Sequence, residues 1–191
     1  MRGLTLDLEQ RDGWPADLRI LLERYPRASW RDQRSPGAIF WLSIHDRFRH
    51  EATELSALAD EYRARQIAIT DLAVRVAPRL RGMIAHLHGH HEIEDFHYFP
   101  SFRETEKRLA PGFDALGRDH EQLQEDIGAA LAAADALMMA AHSGERPSAA
   151  HSAAAERYLT ASERLFARLL RHLHDEEDLI IPLLIDRRSA Y

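Results

Sequence analysis

The chain has 191 residues, no cysteine and a net charge of −6 at pH 7. That length supports one core without covalent staples, and the missing thiols exclude a disulfide framework, a zinc ribbon, a cysteine nucleophile and a cysteine-held iron–sulfur cluster. The acidic balance and the lack of a basic stripe argue against nucleic acid as a partner.

The start, MRGLTLDLEQRDG, has no apolar signal segment, so the expected location is the cytoplasm. Strand signals are nearly absent, while Ala, Leu, Arg and Glu dominate, which predicts an all-α protein. "GWP" at 13–15 and "RSPG" at 34–37 bracket PADLRILLERY, which reads as a short preliminary helix. A first long helix is expected from about Pro36 to Arg65. A second runs from roughly Thr70 to Tyr98, with Pro78 either kinking it or marking its true start. A third runs from near Pro111 to about Ala141, and after the loop HSGERPS a fourth runs from about Ser148 to Ile181. The longest apolar stretch, LIIPLLI, is too short to span a bilayer, so no membrane is expected as a partner. Four long helices with short connections predict an antiparallel up-down four-helix bundle over 36–185. A helical extension at 1–35 packs on it, and 186–191 is a tail.

Each long helix carries a 4-3 apolar seam of the kind that faces a bundle centre. Trp41, His45, Phe48 and Ala52 lie on the first; Leu87, His90, Glu94 and His97 lie on the second. Leu116, His120 and Leu123 lie on the third; Leu169, His172, Glu176 and Leu179 lie on the fourth. So His45, His90, Glu94, His120, His172 and Glu176 all point inward, one histidine per helix. The segments HHEIEDFHYFP and HLHDEEDLIIP share a pattern of His, three residues, Glu, five residues, Pro. Each follows a helix with a single seam histidine, which gives two similar halves. Paired, the halves bring four imidazoles and two carboxylates together.

That donor set suits two metal ions. Imidazole and carboxylate together suit iron (Fe2+ or Fe3+), manganese, zinc or cobalt, and two histidines with a carboxylate per metal are typical of iron sites that keep open positions. Two carboxylates can each bridge both ions and so lower their mutual repulsion. Two divalent ions, two glutamates and four neutral imidazoles leave a formal charge of about +2, which favours a bridging oxo or hydroxo group or another small anion.

In these residues the chain resembles the hemerythrin-like, or HHE cation-binding, proteins. The match rests on His45, then His90-x3-Glu94, then His120 in RDHEQL, then His172-x3-Glu176, and covers roughly 36–185. The resemblance implies a non-heme di-iron centre with the two glutamates bridging, in proteins that bind or sense O2, handle nitric oxide or peroxide, or sense iron. The oxygen-carrying hemerythrins use His-x3-His on the third helix, where this chain has Gln124, and His-x4-Asp on the fourth, where it has His-x3-Glu. One imidazole fewer implies a further open position and favours redox chemistry, such as peroxide decomposition, over simple O2 carriage.

His86, His91 and His97 stand as further candidates, either as ligands or as groups supporting a ligand. His86, one turn before His90, is preferred as the missing imidazole. Glu94 and His97 form one Glu-x-x-His pair, but a ferritin-like di-iron site needs a second pair. Glu177 competes with Glu176, and the seam favours Glu176. Asp119 and Glu121 either orient His120 or lie on the surface. His50, His88, His142, His151 and His174 read as solvated. Trp14, Trp30 and Trp41 are packing anchors or a lid. Two functions follow: a cytoplasmic di-iron protein that reacts with peroxide, O2 or nitric oxide in a stress response, or a non-enzymatic redox, oxygen or iron sensor. Either takes a small diatomic or peroxide ligand and is a monomer or homodimer, since the alanine-rich third and fourth helices serve equally as bundle or dimer faces.

Overall fold

A computed structural model describes residues 6–33, 35–143 and 149–188. The protein is an all-α antiparallel four-helix bundle, with no strand among the described residues. The long helices are Pro36–Arg63, Ile69–Ile93, Ala110–Ala141 and Ala149–Arg188. Short helices at Ile20–Arg24 and Trp30–Gln33 precede them, and Phe99–Thr105 lies between the second and third. No described helix is long and apolar enough to cross a membrane.

Local chemistry sets the boundaries. Ser35 Oγ accepts from the Ala38 N–H at 3.4 Å and Pro36 follows it, a capped start with its proline where no N–H is needed. The first helix ends in a Schellman motif: Gln66 N–H donates to the Glu61 carbonyl and Arg65 N–H to that of Tyr62. Arg65 takes the left-handed position at φ 58°, which glycine usually fills. At the second helix, Asp71 reaches back to the Ala68 N–H at 3.3 Å. Pro78 lies inside that helix, neither breaking nor starting it.

Two expected ends move. The fourth helix continues through Pro182 to Arg188, beyond the expected stop near Ile181. The buried Leu183 and Ile185 outweigh the one backbone bond that Pro182 removes. Residues 186–188 of the expected tail are therefore helical; 189–191, and most of the expected loop HSGERPS, lie outside the described residues. The second change falls in HHEIEDFHYFP, where Glu94–Tyr98 form a π-helical turn. A π turn holds one residue more than an α turn, so the inward register jumps. Past Glu94 the buried positions are Phe99 and Phe102.

The chain divides into two compact units, one of Met1–Arg47, His91–Glu121 and Arg168–Tyr191, the other of Phe48–His90 and Gln122–Ala167. In the first, Trp14, Leu18 and Trp30 share a buried cluster with Phe99, Phe113 and Ile181. The second buries Phe48, Leu55, Leu72, Leu80, Leu123 and Tyr158 almost completely.

Candidate metal centre

Among the described residues, two groups of ligand-type side chains lie inside the bundle. His91, His120 and His172 make one; His45, His90, Glu94 and Glu176 make the other. Within each group, one ligand atom per residue lies within 4.8 Å of the rest. All six residues expected from the seams are therefore present, and a seventh, His91, joins them. Except for half-buried His90, all seven are buried.

The two carboxylates span the groups. Glu176 Oε1 is 3.2 Å from His45 Nε2, while Glu176 Oε2 is 3.2 Å from His172 Nε2. Glu94 belongs to the second group, yet its Oε2 lies 3.6 Å from His120 Nε2 in the first. His120 Nε2 and His172 Nε2 are 3.1 Å apart. Two nitrogens bound to one ion at about 2.1 Å and at right angles would sit about 3 Å apart, so this spacing fits the edge of a coordination polyhedron. Nitrogen and carboxylate donors without thiolate match the chemistry of iron, manganese or zinc. The donor set fits a pair of such ions.

Three imidazoles are oriented by carboxylates on the opposite side of the ring. His45 Nδ1 faces Glu177 Oε1 at 3.0 Å, His120 Nδ1 faces Asp95 Oδ1 at 2.9 Å, and His172 Nδ1 faces Asp119 Oδ2 at 3.4 Å. A carboxylate only accepts, so each Nδ1 carries a proton and each Nε2 is the atom turned inward, where its lone pair becomes available to a cation once any second proton has left. Asp119 thus orients His172 rather than its neighbour His120, and Glu121 is exposed. Glu176 takes the inward place and Glu177 supports His45 from behind.

The charge pattern is that of a cation site holding protons. Burial, and then Glu176 beside it, pushes the Glu94 carboxyl well above its usual range. Burial would raise Glu176 too, but His45 and His172 hold it well below. Burial opposes charge on His172, yet Asp119 and Glu176 outweigh it and raise its pKa to about 9. His45 is raised in the same way against its burial by Glu176 and Glu177. His120 is lowered, by burial above all, with His172 adding to it.

Several expectations need correction. His86 is not the additional imidazole: it is exposed and lines a surface groove with His50, Glu51 and Arg79. His91 lies with His120 and His172 instead, 2% exposed, its ring stacked on His120 at 3.8 Å and 11°. The two groups thus gather five imidazoles rather than four, so an extra open position no longer follows from a missing imidazole. His97 is exposed, because the π turn rotates it away from the seam. His151 is buried rather than solvated, with Nε2 3.3 Å from Ser143 Oγ. Trp41 is more than an anchor: its indole donates to Glu176 Oε1.

Residues 38–185 match the family model of the hemerythrin HHE cation binding domain. No curated protein and no solved structure gives a significant match to the chain. With that match over most of its length, and with histidines and glutamates gathered into two groups that could hold metal, the chain belongs to the hemerythrin HHE cation-binding domain family.

Proposed function

We propose that this protein holds two iron ions and uses them to bind or react with a small oxidant: O2, peroxide or nitric oxide. The observation that carries the reading is the bifacial placement of Glu176, one oxygen 3.2 Å from a histidine of each group. A single buried carboxylate facing two imidazole groups is what a pair of ions a few Å apart needs to offset their repulsion. Bound iron supplies reversible one-electron change and exchangeable coordination positions. The protein supplies the rest. With metal bound, His45, His120 and His172 would present deprotonated Nε2 atoms, each ring held by a carboxylate at Nδ1. Trp41 holds Glu176 by a 2.6 Å hydrogen bond. Phe48, tilted against His90, and Phe99, stacked near His120, cover the rings with apolar surface and limit the access of water.

The donors are unequally divided. One group has three imidazoles; the other has two, together with both carboxylates. If the carboxylates are shared, the His45–His90 side has fewer protein donors, and the small ligand binds there.

The test is metal analysis after anaerobic iron loading, followed by reaction with peroxide, O2 and nitric oxide. About two irons per chain are expected, with spectral change on oxidant addition, and His90→Ala should lose both metal and response. Retention of no iron by wild-type protein, or an unaltered response in His90→Ala, would overturn the reading. Sustained peroxide consumption marks an enzyme, whereas a stoichiometric spectral change without turnover marks a sensor.

A further inference from the structure

The side chains behind two of the orienting carboxylates come from outside the family-matched region. Arg11, 2% exposed, donates from Nη2 to Asp119 Oδ2 at 2.6 Å and from Nε to Asp175 Oδ2 at 2.8 Å. Asp119 is the carboxylate that faces His172 Nδ1. Arg27 repeats the arrangement: its Nη1 donates to Glu177 Oε2 at 3.0 Å and its Nε to Asp178 Oδ1 at 2.7 Å. Glu177 Oε1 faces His45 Nδ1. Two relays of the same design, arginine to carboxylate to imidazole, therefore reach both sides of Glu176.

Both arginines are built into place. Gly13, at φ 74°, supplies the left-handed turn that lets Arg11 point inward while Trp14 packs beside it. The Arg11 guanidinium lies 4.3 Å from the Trp14 ring centroid, and the Trp14 indole donates to the Asp175 carbonyl at 2.6 Å. Arg11 Nη1 also donates to the Leu6 carbonyl at 2.7 Å, which ties the chain on the other side. Arg27 stacks on Trp30 at 4.7 Å and donates to the His174 carbonyl at 2.6 Å. A buried guanidinium is costly without such pairing, and its planar fork fixes a carboxylate in direction as well as in charge.

We propose that the N-terminal segment is a working part of the metal centre, in which Arg11 and Arg27 are positioning residues. Through Asp119 and Glu177 they hold His172 and His45 with Nε2 turned toward the metal pair. This inference rests on the two-iron reading, and it makes the centre larger than the matched domain 38–185. Groups that orient a ligand in this way commonly influence metal affinity by about ten- to hundredfold.

The experiment compares full-length wild type with Arg11→Met, Arg11→Lys, Arg27→Met and Arg27→Lys. Ferrous affinity is read by chelator competition, the electronic spectrum is read after oxidation, and the melting temperature is read in metal-free protein. Each Met variant should bind iron about tenfold or more weakly and shift the spectrum, with partial recovery in the Lys variant. A purely structural role would lower the metal-free melting temperature and leave the affinity and spectrum of the folded protein unchanged, which overturns the proposal. If Arg11→Met does not fold, Arg27→Met, at a side chain 35% exposed, decides the matter by the same readouts. Wild-type protein that binds no iron refutes both this inference and the two-iron reading, whereas iron-replete wild type with indifferent variants refutes this inference alone.

Discussion

The Trp41 indole donates a 2.6 Å hydrogen bond to Glu176 Oε1, and both side chains are buried. Glu176 also faces an imidazole with each oxygen, so Trp41 fixes the rotation of the carboxylate that joins the two groups. Trp41→Phe keeps most of the apolar packing but removes the donor. A hydrogen bond to a charged group contributes about 1.5–3 kcal/mol. Metal-free Trp41→Phe should lose stability of that order, and its iron affinity should fall about tenfold. Denaturant titration and chelator competition check this; no change in either would mean that the contact contributes nothing.

His91 and His86 separate a centre of five imidazoles from one of four. His91→Gln should lower iron occupancy or affinity by about tenfold or more. His86→Gln, on an exposed side chain, should match wild type. Metal analysis of the two variants side by side is sufficient. The reverse ranking would restore the preference drawn from sequence.

Metal uptake should release protons. His172 titrates at about 9, His45 is raised, and burial with Glu176 keeps Glu94 protonated well above the usual carboxyl range. A cation must displace these protons, so apparent affinity rises with pH by about tenfold per unit for each proton released. The slope should lessen by the share of one proton once pH passes about 9, where His172 is already neutral. For the metal-free protein the sign runs the other way. The folded pKa of His172 lies above its ordinary 6.5, so its stabilising contribution is complete below that value and is lost as pH rises through about 9. Denaturation of metal-free and loaded protein from pH 6 to 10 should show the loss only without metal.

Arg65 stores backbone strain that glycine would relieve. Its φ of 58° is the left-handed geometry of the helix-ending motif. A non-glycine residue there costs about 1 kcal/mol or more, and the greater unfolded-state freedom of glycine returns part of any gain. Arg65→Gly should stabilise the protein by about 0.5 kcal/mol, roughly 1–2 °C in melting temperature. Calorimetry is the check, and a lower melting temperature would contradict the assignment of strain.

Much of the architecture is legible without coordinates. A 4-3 apolar rhythm has one solution in water, a helix with a buried stripe, and four such helices with short connections pack as a bundle. The same rhythm brings His45, His90, Glu94, His120, His172 and Glu176 inward, because residues three and four apart share a helix face. Where the rhythm changes, the prediction fails. The π turn at Glu94–Tyr98 adds a residue to one turn, which turns His97 outward and puts Phe99 and Phe102 inside. His86 and His91 both lie close to His90 in the sequence, and choosing between histidines on one helix requires its rotation.

The amino-acid sequence by itself determined the helical class, the paired His-x3-Glu elements and six members of the centre, since these depend on periodicity along single helices. Tertiary structure alone decided which carboxylate faces which ring. The pairs Asp95–His120, Asp119–His172 and Glu177–His45 lie 25, 53 and 132 residues apart. No local pattern encodes contacts between different helices, nor the 108 residues between Arg11 and Asp119. Such pairings follow from the packing of whole elements, where the cost of burying a charge is offset only by a partner brought from elsewhere in the chain.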